Sequence, residues 1–135
     1  MSMKPISQYY SVSAGLTTVA LAATKTTVAF DLANVIENMT VFQYGAYTDG
    51  SFAWTAQDSA DNTTYATCAA GDLIFGVPTT TAFAAVAAAT TSCVKVSYIG
   101  SKRYIRFVAT ATTATAGILA NVAYVAKYHK LPMNP

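Results

Sequence analysis

The sequence predicts an all-β protein, an antiparallel β-sandwich of about nine short strands with a jelly-roll-like order. The first supporting observation is that apolar and polar residues alternate along most segments. The second is that turn signals recur roughly every ten residues, and the third is that no segment has the pattern of an amphipathic helix. At 135 residues, the chain is expected to form one domain over residues 1–135, with a core that needs no metal or disulfide.

The predicted strands follow one another through most of the chain. An N-terminal arm is expected over residues 1–8, and a C-terminal tail over residues 129–135. In the strand predicted over residues 39–47, Gly45 indicates a bulge or a close backbone approach. The Ala- and Thr-rich residues 79–91 predict an irregular loop with a helical turn. The strands are expected over residues 10–23, 26–32, 39–47, 51–57, 65–68, 94–99, 104–112 and 118–128.

Two hairpins are predicted from turn chemistry. Asp49-Gly50 suits a two-residue type I′ turn, which would make residues 39–47 and 51–57 antiparallel neighbours. Phe52 and Trp54 would share the buried face of the second strand, with Trp54 as a core anchor. Gly100-Ser101 would join residues 94–99 to residues 104–112 in a central hairpin. The framework of that hairpin is Tyr98, Gly100, Lys102, Arg103, Tyr104 and Arg106, and its cations are expected to pair with acids such as Asp58 or Asp61.

The composition is low in charge and high in apolar residues. Only 10% of the residues are charged and 53% are hydrophobic, against roughly 25% charged in ordinary domains. Thr, Ser, Asn and Tyr must therefore cover the surface, or part of it must be hidden in an assembly, which we favour. A formal net charge of +2 argues against nucleic acid as a partner. The sequence shows no secretory signal and no apolar run of membrane-spanning length, so we expect a protein made in a cytoplasm with no membrane partner.

Residues with catalytic or ligating side chains are scattered. Asp58, Asp61 and Asn62 could ligate a hard cation, but turn capping explains them better, and they fit no EF-hand loop. His129, the only histidine, lies in the tail, where a general base would not be held rigidly. Cys68 and Cys93 fit either a disulfide or free thiols. With no phosphate loop, zinc spacing or nucleophile motif, we predict no enzyme, no cofactor and no metal.

Three segments resemble a family of small structural proteins encoded among the head genes of tailed bacteriophages. Residues 30–57 have its "DL" strand end, "DG" turn and strand ending in Gln, and residues 58–73 are similar to its "SDDxSTxxxVxAxDL" run. Residues 96–108, VSYIGSKRYIRFV, are similar to its Tyr-Ile-Gly-x-Lys-Arg-Tyr-Ile-Arg signature. The chain has Asp58-Ser59-Ala60-Asp61 where the family usually has Glu-Ser-Asp-Asp, and its tail reads Tyr128-His129-Lys130-Leu131-Pro132 where the family often has His-Pro-Arg.

The resemblance implies a non-enzymatic virion protein, a capsid decoration or cement protein bound to the major capsid protein on the capsid surface. It also implies a homo-oligomer, with a trimer favoured, that stabilises the assembled head by bridging capsid subunits. The expected assembly contacts are Tyr9, Tyr10, Tyr128, His129 and Lys130. Two alternatives stay open. A head-completion or tail protein would be present in few copies per particle, and a particle-surface carbohydrate-binding module would present coplanar aromatic rings to host glycans.

Overall fold

In the part of the chain that the structure describes, the protein forms ten β-strands and one short 3-10 helix at Ala70–Asp72. A computed structural model describes residues 3, 5, 9–75, 83, 85–89 and 93–128. Within these residues the strands are β1 (Ser11–Ala20), β2 (Lys25–Thr26), β3 (Phe30–Asp31), β4 (Val35–Tyr47), β5 (Ser51–Ser59), β6 (Ala66–Thr67), β7 (Leu73–Phe75), β8 (Val94–Tyr98), β9 (Tyr104–Thr112) and β10 (Ile118–Tyr128).

The strands form two antiparallel sheets that enclose one core. The front sheet has the order β1-β10-β4-β8-β7, and the back sheet has the order β2-β9-β5-β6, with β3 also paired to β9. The chain crosses between the sheets after β1, β3, β4, β6, β8 and β9. This arrangement of two interlocked Greek keys is the order of a jelly roll, so the predicted all-β sandwich is confirmed.

Both predicted hairpins are wrong, because the strands on either side of each turn belong to different sheets. β4 lies in the front sheet, and β5, which follows the Asp49-Gly50 turn, lies in the back sheet. β8 likewise pairs with β4 and β7, whereas β9 pairs with β2, β3 and β5. A period-2 pattern shows that one face of a strand is buried, but it does not show whether the next strand lies beside it or across the core.

Side-chain hydrogen bonds to residues distant in sequence hold the chain at each of the two turns. The Asp49 carboxylate accepts hydrogen bonds from the backbone N–H groups of Thr115, Ala116 and Gly117, which fasten the first turn to the β9–β10 connection. Before the second turn, the side chain of Asn38 on β4 accepts a hydrogen bond from the backbone N–H of Tyr98 at 2.9 Å and donates one to the Tyr98 carbonyl at 2.8 Å. The backbone groups of Tyr98, at the end of β8, are therefore bonded to Asn38 and are not available to β9.

Aromatic side chains fill the centre of the core. Phe42 is fully buried and contacts the rings of Trp54, Phe83 and Phe107 at centroid distances of 4.9, 5.3 and 5.0 Å. Trp54 is 4% exposed, and its indole N–H donates a hydrogen bond to the hydroxyl of Tyr44 at 2.8 Å. Because Trp54 lies inside the sandwich, its ring offers no face to an external ligand.

The individual strands agree with the sequence pattern to different degrees. β10 alternates as predicted over its whole length, with residues 118, 120, 122, 124 and 126 buried. The register between β4 and β10 shifts beside Gly45, where an added Cβ would lie 3.1 Å from the Leu119 side chain. The strand predicted over residues 26–32 is instead split into β2 and β3. Between these two strands the polar Thr27 is buried and the apolar Val28 is exposed, although apolar–polar alternation would bury Val28.

Candidate functional site

Two neighbouring rows of apolar side chains lie on the outer face of the front sheet, across β1, β10 and β4, between polar rows formed by Asn121 with Gln43 and by Lys127 with Glu37. Val125 of β10 lies between Val12 of β1 and Met39 of β4 in the ladder. The neighbours of Val125 along β10, Tyr124 and Ala126, are buried in the core, so this row lies on the opposite, outer face. In a neighbouring row, Ala123 of β10 pairs with Val41 of β4. Sandwich sheets that face water usually carry polar residues on the outside. Neighbouring apolar rows on the outside of a sheet mark a candidate surface for binding another molecule.

One end of this face is a groove of about 1360 Å³. Val12, Met39 and Val125 form its floor, and Ile36 and Ile99 belong to its walls. Val12 is 70% exposed and Ile99 is 60% exposed, so apolar side chains on the floor and on the wall contact water. The rim carries charge, with Glu37 on one side and Lys102 and Arg103 on the other. The groove therefore suits a segment that is mainly apolar.

The wall that carries Ile99 is held by Tyr98. Its buried hydroxyl donates a hydrogen bond to Asp58 Oδ2 at 2.8 Å and accepts one from the backbone N–H of Lys102 at 3.2 Å. Burial, followed by the hydrogen bond to Asp58, raises the pKa of Tyr98 well above its usual value. A Cβ at Gly100 would lie 2.3 Å from the Tyr98 hydroxyl, so this turn requires glycine. The connection between β8 and β9 is consequently folded around one phenol group.

The cations predicted to pair with Asp58 or Asp61 have other partners. Arg103 donates two hydrogen bonds to the Asp31 carboxylate, at 2.9 and 2.8 Å, and this contact is the main reason that the pKa of Asp31 is lowered. The guanidinium of Arg103 also lies 5.0 Å from the ring centroid of Tyr104. The groove rim at Arg103 is therefore largely neutralised by Asp31.

Arg106 lies on the outer face of the back sheet. It donates a hydrogen bond to Gln57 at 2.9 Å, and its guanidinium stacks 3.8 Å from the ring centroid of Tyr65.

Asp61, the other predicted partner, accepts hydrogen bonds from the backbone N–H groups of Thr63 and Thr64 and from the hydroxyl of Ser59. These bonds, the backbone ones first, lower the pKa of Asp61 to about 2. Asp61 is thus a turn-capping residue.

The structure places Tyr10 and Tyr128 near the groove. Tyr10 lines it and donates a hydrogen bond from its hydroxyl to Glu37, while Lys127 Nζ lies 5.9 Å from its ring centroid. Tyr128 pairs with Val35, which also lines the groove. Tyr9 is at a turn just before Tyr10 and is partly exposed. The other two predicted contacts, His129 and Lys130, lie outside the described residues.

The described residues offer no assembled catalytic or metal-binding constellation. No group of three His, Cys, Asp or Glu residues that could hold a metal ion is found in this part of the chain. Cys68 and Cys93 are both free, and burial raises the pKa of the Cys68 thiol to about 12, which keeps it protonated. Of the helices in the described residues, none is long and apolar enough to cross a membrane. The feature most suited to function is the apolar groove.

Sequence reasoning missed most of the residues that build this groove. Ile36 and Asn38 lie in the connection predicted between residues 26–32 and 39–47, and Ile99 is the last residue of the strand predicted over residues 94–99. A usable signal was present in β10, whose two faces are Ile-Ala-Val-Tyr-Ala and Leu-Asn-Ala-Val-Lys, because both faces contain apolar residues. A strand with apolar residues on both faces is either buried on both sides or binds another molecule on its outer side.

Comparison with known proteins supports the fold alone. No protein-family model and no curated protein sequence matches the chain. The SPBc2 prophage-derived protein YomS is similar in structure, with a TM-score of 0.52 at 12% identity over 87% of this chain and 91% of YomS. The PBSX exported protein XepA gives a TM-score of 0.57 at 18% identity over 99% of this chain.

The chain spans only 42% of XepA. A xylanase of Clostridium thermocellum, solved with xylohexaose, reaches a TM-score of 0.39 at 10% identity, which is too low to show a common fold. The chain therefore shares its sandwich fold with two proteins of prophage origin.

Proposed function

We propose that the chain is a non-enzymatic structural protein of a tailed-phage particle that decorates the assembled head and cements neighbouring capsid subunits. The observation that carries this proposal is the pair of apolar rows on the outer face of the front sheet, which includes Val41 and Ala123. Two further observations support it, namely the similarity of the head-gene family to residues 30–73 and 96–108, and the two solved structures of prophage origin that share the fold.

The mechanism needs binding only. A protein that contacts the assembled lattice, and has no affinity for separate subunits, stabilises the assembled state by mass action. At a free concentration 100-fold above Kd, this linkage amounts to about 2.7 kcal/mol per site. The low charge content fits such a contact, because few charged groups must lose water when the apolar face is covered. We further propose that the protein acts as a homo-oligomer, with a trimer as the favoured form.

The first experiment is to measure the copy number of the chain in purified particles by quantitative mass spectrometry against the major capsid protein. Decoration predicts a ratio near one to one, or another fraction fixed by icosahedral symmetry. A few copies per particle would assign the chain to the portal or tail instead. Absence from the particle would refute a virion role.

A second experiment tests the surface. Purified protein is added to particles from a deletion phage, and binding is measured by co-sedimentation. We expect Val41→Lys, on the outer face of the front sheet, to weaken binding at least tenfold, since a buried unpaired ammonium is costly. Thr55→Lys is the matched control, because Thr55 lies between the inward-facing Trp54 and Ala56 on β5 and so points out of the back sheet. Equal effects of the two variants would contradict the assignment of the surface.

A further inference from the structure

The groove leaves apolar side chains accessible to water, and two residues of the N-terminal arm, Met3 and Pro5, are exposed. Val12 on the floor and Ile99 on the wall are largely exposed. Met3 is 97% exposed, and Pro5 is also exposed, so neither side chain is buried against its own sandwich. A single chain therefore presents an apolar groove together with two exposed residues, Met3 and Pro5, in the segment that precedes it.

The arm starts at the groove and is long enough to leave it. Tyr10 lines the groove, and its hydroxyl donates a hydrogen bond to Glu37, so the residue that follows the arm and Tyr9 is held at the groove. Residues 1–8 read MSMKPISQ, with apolar residues at positions 1, 3 and 6 and one charge at Lys4. Eight residues span up to roughly 26 Å when extended. Such a segment can reach a neighbouring molecule and loses little hydration when it is buried.

We propose that residues 1–8 of a second copy occupy this groove, so that neighbouring copies exchange N-terminal arms. Each copy gives one arm and receives one, which closes the assembly as a symmetric pair or ring. The exposure of Met3 and Pro5 favours a second copy over the chain's own groove, because neither side chain is buried against the sandwich that carries it. The inference rests on the proposed homo-oligomer and does not require a capsid.

Directed crosslinking tests the position of the arm. Both samples carry Cys93→Ser, which removes the exposed free thiol. One sample also carries Met3→Cys, and the other carries Ile99→Cys. After mixing and mild oxidation, we expect a covalent dimer whose disulfide joins positions 3 and 99, identified by peptide mass spectrometry. Failure to form this disulfide in the mixed sample would overturn the proposal.

A mass measurement tests the energetics. Sedimentation of the unmodified full chain over a wide concentration range should show a reversible oligomer. Val12→Lys, in the groove, should raise the dissociation constant at least tenfold. Val28→Lys is the matched control, since Val28 is 69% exposed and does not line the groove. A monomer at every concentration, or equal effects of the two lysines, would refute arm exchange.

The two proposals fail separately. If arm exchange is wrong and decoration is right, the unmodified chain remains monomeric and still co-sediments with the particles. If decoration is wrong and arm exchange is right, the crosslink between positions 3 and 99 forms and no protein co-sediments.

Discussion

Replacing Tyr98 by phenylalanine isolates the phenol hydroxyl that holds the groove wall. The substitution removes one hydrogen bond to a carboxylate, worth about 1.5–3 kcal/mol, and one from a backbone N–H, worth about 0.5–1.5 kcal/mol. Asp58 is only half-buried and can regain water, so we expect a net loss of about 2 kcal/mol. For a domain of this size, 1 kcal/mol corresponds to roughly 4 °C in Tm. The expected fall in Tm is therefore about 8 °C.

The assay is thermal unfolding followed by circular dichroism, with Tyr47→Phe as the control. The Tyr47 hydroxyl makes one neutral hydrogen bond, to the Gly50 carbonyl at 2.8 Å, so its loss should cost only about 1 kcal/mol. A fall for Tyr98→Phe no larger than that of the control would refute our account of the wall. The pH dependence gives a second check. Because the pKa of Tyr98 is raised on folding, its contribution is complete below pH 10.0 and is lost at higher pH, so the two proteins should converge in alkali.

Three other predictions concern the framework of the sandwich. Gly117 has φ of 76° and an added Cβ would lie 2.1 Å from the Leu21 carbonyl oxygen, so Gly117→Ala should cost about 3 kcal/mol, whereas Gly71→Ala, with open space around it, should be silent in the same denaturant titration. Asp49→Asn should flatten the acid limb of a Tm-against-pH curve, because hydrogen bonds lower the pKa of Asp49 to about 2 and the stability they give is lost as pH falls from 3.8 towards 2. Phe42→Ala should cost about 4 kcal/mol of unfolding free energy, and a loss below 1 kcal/mol would contradict its central place in the core.

The sequence was sufficient to predict what depends on local alternation. The bounds of β10 and the sandwich class follow from period-2 patterns that bury one face of each strand. The partners of the strands were not predictable in the same way. Asp49-Gly50 has hairpin chemistry, and Gly50 does have φ of 89°, yet the Asp49 carboxylate fastens the turn to residues more than sixty positions away.

The groove was harder to predict because its parts come from distant segments. Val12, Met39 and Val125 become neighbours only when β10 enters the sheet between β1 and β4. The pairing of Arg103 with Asp31 likewise joins residues 72 positions apart. A single sequence contains no signal for such contacts, whereas the basic group at residues 102–106 was visible but offered several acids as equal partners.

The position of β10 has a consequence for how the protein is made. β1 and β4 leave the ribosome well before β10, since about 70 residues separate the end of β4 from Ile118. At a synthesis rate of about 5–20 residues per second, the edges of both strands that pair with β10 stay unpaired for several seconds. Closure must then join the first and last strands across nearly the whole described chain, a slow step of high contact order. The apolar floor therefore does not exist on the nascent chain, and copies cannot associate through it until synthesis has passed Tyr128.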